Sequence, residues 1–365
     1  MRVLIAGGGT GGHVFPGIAI ADALREQGAV SEVVFVGTEK GLEARVVPQA
    51  GYQLETLHAA GFVGKSALGK IRSLWILLQS FREARALLQR MRPHLVIGVG
   101  GYASFSTVIA AHFRDIPTLI HEQNAVPGLA NRQLARFVDA IAVTYQESMP
   151  FFPQEKTILT GNPVRKGMLK VDERAARALF QLDPDRFTIF VFGGSTGARR
   201  INRAVAEALG LLADLRDRIQ FIHQTGESDH EDIARVYSDL GFSGIVVPFV
   251  YNMAEAYALA DVVLCRAGAT TLSEITAIGK AAILVPYPHA ASNHQELNAR
   301  KLEDMGAARV VLDRELSGER IAELFRTLYL DERMRSELER QAAAFGRLDA
   351  ADRIVQLAMS LVRKG

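Results

Sequence analysis

Near its start the chain reads Arg2-Val-Leu-Ile-Ala-Gly-Gly-Gly-Thr-Gly-Gly-His-Val14, and this stretch decides the fold. A short apolar run passes directly into the glycines of residues 7–12, and a helical pattern of apolar residues follows through Leu24. A buried strand, a glycine turn and a helix in this order are typical of an α/β protein. The opening stretch therefore predicts the first unit of such a fold.

The same alternation continues along both halves of the chain. Strands are predicted from continuous apolar runs at residues 33–36, 95–99, 118–121 and 140–143, and again at 188–192, 219–222, 244–247, 262–265 and 282–285. Continuous runs indicate parallel strands that are covered by helices on both faces. The run at 188–192 leads into Gly193-Gly-Ser-Thr-Gly197, so the architecture of the first half begins again there.

Two domains of α/β type follow from this repetition. We predict boundaries at 1–161 and 162–340, with the helical residues 341–365 packing back on the first domain, because a chain end otherwise tends to fray. A length of 365 residues is ample for two hydrophobic cores.

Composition excludes several classes of protein. The net charge of +2 gives no bulk case for binding nucleic acid. The single cysteine, Cys265, excludes an internal disulfide and fits a reducing compartment. The first residues lack the features of a signal peptide, and no apolar run reaches the roughly 18 residues that span a bilayer.

Each glycine segment stands between a strand and a helix, which is the setting of a phosphate site. Close packing of helix on strand is the alternative without a ligand. The pattern Gly7-x-Gly9-x-x-Gly12 also admits dinucleotide binding, although Glu39 comes late for a ribose-binding acid. The pattern Gly193-x-Ser195-x-Gly197 admits an α/β hydrolase, with Asp261 and either His289 or His294 completing a triad.

Seven segments resemble the MurG family of peptidoglycan glycosyltransferases, in the family's order and over nearly the whole chain. They are Gly8-Gly-Thr-Gly-Gly-His-Val-Phe-Pro16, Gly98-Val-Gly-Gly-Tyr102, His121-Glu-Gln-Asn124, Gly161-Asn-Pro-Val-Arg165, Gly193-Gly-Ser-Thr-Gly-Ala-Arg199, Cys265-Arg-Ala-Gly-Ala-Thr270 with Glu274, and Asn293-His-Gln295 with Asn298-Ala299. The resemblance implies the GT-B fold, in which two Rossmann-like domains with parallel sheets are separated by a cleft.

The activity that the resemblance implies is an inverting transfer of N-acetylglucosamine from UDP-GlcNAc to lipid I (undecaprenyl-pyrophosphoryl-MurNAc-pentapeptide), which gives lipid II for the cell wall. A GT-B transferase with another acceptor remains an alternative. The implied partners are UDP-GlcNAc, lipid I, an anionic membrane surface and other cell-wall enzymes, with no nucleic acid and no cofactor. The implied location is the cytoplasmic face of the bacterial inner membrane, without a membrane span.

The resemblance also implies a donor site. Arg165 and Ser195 are expected at the diphosphate, Phe249 and Val250 at the uracil, and Glu274 at the ribose. Ala269 and Thr270 offer backbone N–H groups to the phosphates, and His294 and Gln295 suit sugar hydroxyls because each can donate and accept hydrogen bonds. Thr10, Gly11, Gly12 and Asn124 complete the expected donor contacts.

The general base and the acceptor site are expected beside the first glycine loop. His13 is the first choice for the base, since a histidine can take a proton near neutral pH. It could equally bind the acceptor pyrophosphate, and Glu122 is then the other candidate base. Thr10, His13 and Tyr102 are the expected acceptor contacts. No pattern of metal ligands is visible, because Asp183-Pro-Asp185 reads as turn chemistry.

Residues 64–92 combine apolar residues at helical spacing with an excess of basic residues. The apolar positions include Leu68, Ile71, Leu74, Trp75, Leu78 and Phe81. Such a segment suits the surface of an anionic bilayer. The alternative is an amphipathic helix whose apolar face packs into the core.

Overall fold

The protein is described by a computed structural model. It describes residues 1–28, 30–58, 67–290 and 293–362, and gives the backbone alone for 67–74. The chain divides into two compact units. The first unit comprises residues Met1–Arg165 and Leu348–Gly365, and the second comprises Lys166–Arg347.

The first unit contains a parallel sheet of seven strands. They are β1 (Arg2–Gly7), β2 (Glu32–Gly37), β3 (Gln53–Thr56), β4 (Leu95–Gly100), β5 (Thr118–Glu122), β6 (Ala140–Val143) and β7 (Thr157–Leu159). Their order in the sheet is β3-β2-β1-β4-β5-β6-β7. The direction of winding reverses between β1 and β4, which is where ligands bind in open sheets of this kind.

Helices cover both faces of this sheet. They are α1 (Gly11–Glu26), α2 (Glu43–Gln49), α3 (Ala67–Met91), α4 (Tyr102–His112), α5 (Leu129–Leu134) and α14 (Ala350–Val362). Successive side chains of β1 point to opposite faces. Val3 and Ile5 therefore join one core with residues of α1 and α14, whereas Leu4 and Ala6 join the core on the other face.

The last helix, α14, completes the first unit from the far end of the chain. Its residues Ala351, Ile354, Val355 and Ala358 are buried in the same core as β1 and α1. Helix α13 (Glu332–Phe345), which precedes it, belongs to the second unit. The segment predicted to return to the first domain, 341–365, is thus divided between the two units.

The second unit repeats the plan with six parallel strands. They are β8 (Phe187–Phe192), β9 (Ile219–Gln224), β10 (Ser243–Val247), β11 (Val262–Cys265), β12 (Ala281–Leu284) and β13 (Arg309–Val310), and their order is β10-β9-β8-β11-β12-β13. The helices are α6 (Glu173–Phe180), α7 (Arg199–Leu211), α8 (His230–Leu240), α9 (Met253–Leu259), α10 (Ala269–Ile278), α11 (His294–Asp304), α12 (Gly318–Leu330) and α13. Winding reverses between β8 and β11.

Every strand predicted from an apolar run is present within two residues of its predicted bounds, and every pairing is parallel. Three strands were not predicted, β3, β7 and β13, and each of them lies at an edge of its sheet. These strands have only 4, 3 and 2 residues, so they leave no continuous apolar run in the sequence, whereas the remaining edge strand, β10, has 5 residues and was predicted.

Candidate active site

The first glycine loop leads from β1 into α1. Gly9 has a φ of +88°, and Thr10 is the residue that precedes the helix. Gly11, Gly12 and His13 are the first three residues of α1. The expected residues Thr10 to His13 therefore stand at the carboxyl edge of the first sheet, beside the point where its winding reverses.

The imidazole of His13 has a defined tautomer. Its Nδ1 lies 2.9 Å from the carbonyl oxygen of Gly8. A carbonyl can only accept a hydrogen bond, so Nδ1 carries a proton, and Nε2 is the nitrogen that can act as an acceptor. The ring packs against Gly100, where a Cβ would come within 2.8 Å of Nε2.

Two further predicted residues follow strands of the same sheet. Tyr102 is the first residue of α4, directly after β4, and its side chain is exposed. Arg165 follows β7, and its guanidinium carbon lies 4.5 Å from the centre of the Phe15 ring on α1. Both therefore belong to the same edge of the first sheet as the glycine loop.

The carboxylate of Glu122 accepts hydrogen bonds from the loop that follows β5. Its carboxylate is 1% exposed and accepts hydrogen bonds from the backbone of Asn124 at 2.9 Å and of Gly128 at 3.1 Å. The side-chain amides of Asn131 and Asn124 donate to it at 2.9 and 3.2 Å. The carboxylate of Glu122, the other candidate base, therefore holds the loop after β5 and orients Asn124.

His121 precedes Glu122 on β5 and is fully buried. Burial lowers the pKa of His121 to about 4, and the charge of His13 acts in the same direction. The Nε2 of His121 lies 3.2 Å from the carbonyl oxygen of Gly161. His121 is thus a neutral core residue at neutral pH.

In the second unit the glycine loop after β8 is built around close contacts between backbones. Gly197 has a φ of +78°, and a Cβ there would collide with the carbonyl of Thr225. Ser195, the expected diphosphate contact, is exposed at the tip of this loop. The loop therefore holds a shape in which Ser195 and its neighbours face solvent.

A buried glutamine, Gln224, connects this loop to the segment after β10. Its amide nitrogen donates to the carbonyl oxygen of Gly194 at 2.8 Å, and its amide oxygen accepts from the N–H of Val250 at 2.8 Å. Phe249 is partly buried and its ring lies 4.9 Å from that of Tyr251. The predicted uracil segment is thereby attached to the predicted diphosphate loop.

The loop after β11 carries the predicted phosphate and ribose contacts. Ala269 and Thr270 open α10 and are 5% and 8% exposed. Glu274 lies one turn later and is 6% exposed, so it is not on a solvated face of the helix. The hydroxyl of Tyr257 donates to its carboxylate at 3.2 Å. Burial raises the pKa of the Cys265 thiol, and the nearby charge of Glu274 adds to this.

His294 and Gln295 open α11, the helix that follows β12. The side-chain oxygen of Gln295 accepts from the backbone N–H of Tyr287 at 3.0 Å, which leaves its amide nitrogen as the donor toward a ligand. All predicted residues of the second unit therefore follow the carboxyl ends of its parallel strands.

The comparisons with known proteins cover both units. Residues 3–143 match the N-terminal domain of glycosyltransferase family 28, and residues 188–354 match its C-terminal domain. A relative from Thermodesulfovibrio yellowstonii is 50% identical over the whole of both chains and is named UDP-N-acetylglucosamine–N-acetylmuramyl-(pentapeptide) pyrophosphoryl-undecaprenol N-acetylglucosamine transferase. The chain belongs to glycosyltransferase family 28. A relative from Geobacter sulfurreducens with the same name is 47% identical over the whole of both chains.

Solved structures agree with this membership of family 28. The crystal structure of MurG from Acinetobacter baumannii superimposes with a TM-score of 0.74 at 30% identity, covering 98% of this chain and 99% of that one. A UDP-GlcNAc 2-epimerase from Neisseria meningitidis gives 0.72 at 16% identity, covering 99% of this chain and 100% of that one, and shares the fold alone. The predicted GT-B fold and the resemblance to MurG are confirmed.

The hydrolase alternative required a triad of Ser195, Asp261 and either His289 or His294, and the structure does not bring Asp261 to Ser195. The carboxylate of Asp261 accepts from the backbone N–H of Thr188, near the start of β8, at 2.7 Å. Ser195 follows the end of the same strand, and the six residues of β8 extend for roughly 16 Å. Asp261 is therefore at the opposite edge of the sheet from Ser195.

Sequence reasoning missed two buried polar residues at these loops, Glu43 and Gln224. Glu43 opens α2 and accepts from Gly9, 34 residues earlier, and Gln224 ends β9 and contacts Gly194 and Val250. The sequence shows neither of these long-range contacts. Among the described residues no group of three or more His, Cys, Asp or Glu side chains could hold a metal ion. In the part of the chain that the structure describes, no helix is long and apolar enough to cross a membrane.

Proposed function

We propose that this protein transfers N-acetylglucosamine from UDP-GlcNAc to the C4 hydroxyl of MurNAc in lipid I, with inversion at the anomeric carbon, and so forms lipid II. The observation that carries the proposal is the agreement over the full chain with relatives that bear the name of this activity, at 50% and 47% identity. The paired glycine loops support it, because both substrates carry a diphosphate and each loop is a suitable anion site.

His13 is the proposed general base. The acceptor hydroxyl loses its proton to Nε2 of His13, its oxygen bonds to C1 of the sugar, and the bond from C1 to the phosphate oxygen breaks. The tautomer supports this role, since Nδ1 is engaged with Gly8 and Nε2 is the nitrogen that can accept. Thr10 and Tyr102 are the proposed acceptor contacts, with Thr10, Gly11 and Gly12 beside the diphosphates.

The leaving UDP is the group that gains charge in this reaction, and positive groups stabilise it. In the second unit we assign the diphosphate to the Ser195 loop and to the N-terminus of α10 at Ala269 and Thr270. Arg165 supplies a fixed positive charge. Its contact with the Phe15 ring supports an ordered guanidinium.

The remaining donor contacts recognise the nucleoside and the sugar. Glu274 is assigned to the ribose hydroxyls, and Phe249 with Val250 to the uracil. Because the N–H of Val250 is already bonded to Gln224, the carbonyl of Val250 is its group for the uracil N3–H. His294, Gln295 and Asn124 are assigned to the hydroxyls of N-acetylglucosamine.

We assign the protein to the cytoplasmic face of the inner membrane, where its first unit contacts anionic lipid. Trp75 and Phe113 are 67% and 68% exposed, and the rings of Phe81 and Phe113 lie 6.3 Å apart. The exposed Phe137 extends this aromatic group through His112. Arg82, Arg85 and Arg136 are exposed on the same elements. Aromatic residues with flanking arginines suit the headgroup region of an anionic bilayer.

The proposed activity is tested by adding ligands to the purified protein. UDP-GlcNAc is expected to raise the melting temperature and NADH to leave it unchanged, since a ligand stabilises only the protein that binds it. Radiolabelled sugar should then move to lipid I and not to undecaprenyl phosphate. Transfer to a different acceptor in preference to lipid I would support the other GT-B alternative.

The matched variant Ser195→Ala separates a transferase from a hydrolase. It is expected to raise the KM for UDP-GlcNAc several-fold while kcat stays within about threefold, because it removes one hydroxyl contact. Loss of all activity together with a covalent acyl intermediate in the wild type would contradict the proposal.

A further inference from the structure

A glutamate, Glu43, lies buried directly beneath the first glycine loop. It is the first residue of α2 and is 1% exposed. One carboxylate oxygen accepts from the N–H of Gly9 at 2.7 Å. The other accepts from the N–H and the hydroxyl of Thr38 at 2.8 and 2.7 Å. All three partners are donors, so the carboxylate form satisfies every contact.

The space for this carboxylate is created by three glycines. A Cβ at Gly8, Gly37 or Gly41 would collide with the side chain of Glu43. These glycines come from the loop after β1, the end of β2 and the turn before α2. Each of the three segments thus has a glycine where a side chain would collide with Glu43. An acid on the surface would not need such a space.

Glu43 and His13 hold the two ends of one peptide group. The N–H of Gly9 and the C=O of Gly8 belong to the same planar amide. Glu43 accepts from its N–H, while Nδ1–H of His13 donates to its carbonyl oxygen at 2.9 Å. A hydrogen bond to one end of an amide polarises the other end, and an anion at the N–H makes the carbonyl a stronger acceptor.

We propose that Glu43 is a positioning residue for His13, acting through the Gly8–Gly9 peptide to fix the Nδ1–H tautomer and to make Nε2 a better proton acceptor. The inference rests on the proposed role of His13 as the base. A carboxylate bonded directly to a histidine performs the same task in serine hydrolases. Here the amide stands between the two, so that the anion stays below the loop and away from the proposed diphosphate.

Other titratable or charged groups around the first glycine loop bear on any pH profile. His121, on β5, interacts electrostatically with His13, but burial lowers the pKa of His121 to about 4, below the working range. Tyr102 begins α4 beside the Gly100–Gly101 turn, and Arg165 lies over Phe15, two residues after His13. His121, Tyr102 and Arg165 are all present in both the wild type and the variants at residue 43. A difference in pH profile between these proteins therefore reports on Glu43.

The decisive variant is Glu43→Gln, which keeps the shape of the side chain. Its amide nitrogen would face a donor, either the Gly9 N–H or the two Thr38 donors, so at least one contact is lost. We expect kcat for transfer to fall about tenfold, as when a partner that orients a functional histidine is removed. The acidic limb of the kcat/KM profile should move to lower pH by about half a unit. The Kd for UDP should be unchanged.

Glu39→Gln is the matched control. Glu39 is exposed in the same β2–α2 connection, so the control removes the same charge without touching the peptide. A second readout is independent of turnover: ¹⁵N NMR of the imidazole of His13 should report the Nδ1–H tautomer in the wild type and in Glu39→Gln, and a mixture in Glu43→Gln. A purely structural role for Glu43 would lower the melting temperature without changing the pH profile or the tautomer.

The possible failures can be told apart. If His13→Gln keeps its activity, the proposed base is wrong. If His13→Gln is inactive while Glu43→Gln matches the wild type in kcat, pH profile and tautomer, the inference about Glu43 is wrong. Should Glu43→Gln not fold, Thr38→Val keeps the carboxylate but removes one of its donors, so the carboxylate accepts more strongly from the Gly9 N–H and the acidic limb is expected to move slightly to higher pH. Wild-type behaviour of that variant would also overturn the inference.

Discussion

The amide nitrogen of Gln224 donates a hydrogen bond of 2.8 Å to the carbonyl oxygen of Gly194. Since its amide oxygen also accepts from Val250, one buried side chain fixes both the loop proposed for the diphosphate and the segment proposed for the uracil. At the other end of β9, Gln220 makes a comparable pair of contacts with the backbone of Asp183, at 3.0 and 2.7 Å. The same strand thus carries two similar glutamines at opposite edges of the sheet.

Gln224→Glu should weaken UDP binding about tenfold, or about 1.4 kcal/mol, because a carboxylate cannot donate to Gly194 and repels its carbonyl. Isothermal titration calorimetry with UDP measures the change. Gln220→Glu is the matched control, since it loses similar contacts far from the proposed ligand. Equal UDP affinities for the two variants would contradict the assignment of Gln224 to the donor site.

Stability should decrease in acid because of the buried ring of His223. Burial lowers the pKa of His223 to about 3, and its two nitrogens contact Tyr237 and Asn202. The ring stays neutral when folded and takes up a proton when unfolded below pH about 6.5. Its contribution to stability is therefore complete above that pH and is lost as pH falls toward 3.

Between pH 7 and pH 5 this histidine alone should reduce the free energy of unfolding by about 2 kcal/mol. Urea unfolding at the two pH values measures the loss. His223→Gln should be less stable than the wild type at pH 7 but should lose about 2 kcal/mol less on acidification. An identical pH dependence of the two proteins would show that His223 is not buried as a neutral ring.

Binding to vesicles of anionic phospholipid should require the exposed aromatic group. Trp75→Glu and Phe113→Glu are each expected to reduce the partition coefficient roughly tenfold, since a charge replaces an apolar group at the bilayer surface. Leu330→Glu is the control, because Leu330 is equally exposed, at 68%, but belongs to the second unit. UDP affinity should be the same in all three. A similar loss in the control would indicate a non-specific effect of charge.

Helix α14 should be essential for the stability of the first unit. Ile354→Ala is expected to cost about 2 to 5 kcal/mol, the usual range for removing a fully buried isoleucine side chain. Gln356→Ala, at an exposed position of the same helix, should change stability by less than about 0.5 kcal/mol. Differential scanning calorimetry measures the stability of both variants against the wild type. If they behaved alike, the burial of α14 against α1 would be in doubt.

The central strands and the edge at which the site residues gather could be predicted from the sequence. Strand β4, for example, is an apolar run that ends at a glycine pair, and a residue just after a parallel strand must lie at its carboxyl edge. The same rule could have excluded Asp261 from a triad with Ser195. Asp261 precedes β11, so it belongs to the amino edge.

Contacts that depend on distant loops could not be predicted. Nothing in the order of residues brings Glu43 beneath Gly9, because the contact arises only when β1 and β2 pair side by side. The sequence also did not predict that Phe113 is exposed, since an apolar residue at the end of a helix ordinarily packs inward. The predicted positions Leu68, Ile71 and Leu74 belong to side chains outside the described residues.

The return of α14 to the first unit has a consequence for biosynthesis. The ribosome releases residues 166–347 before it releases the helix that closes the core around Val3 and Ile5. Domains commonly fold in the order of translation. In this chain the second unit can therefore fold while the first unit still lacks α14, so the core of the first unit closes only after the whole second unit has been synthesised.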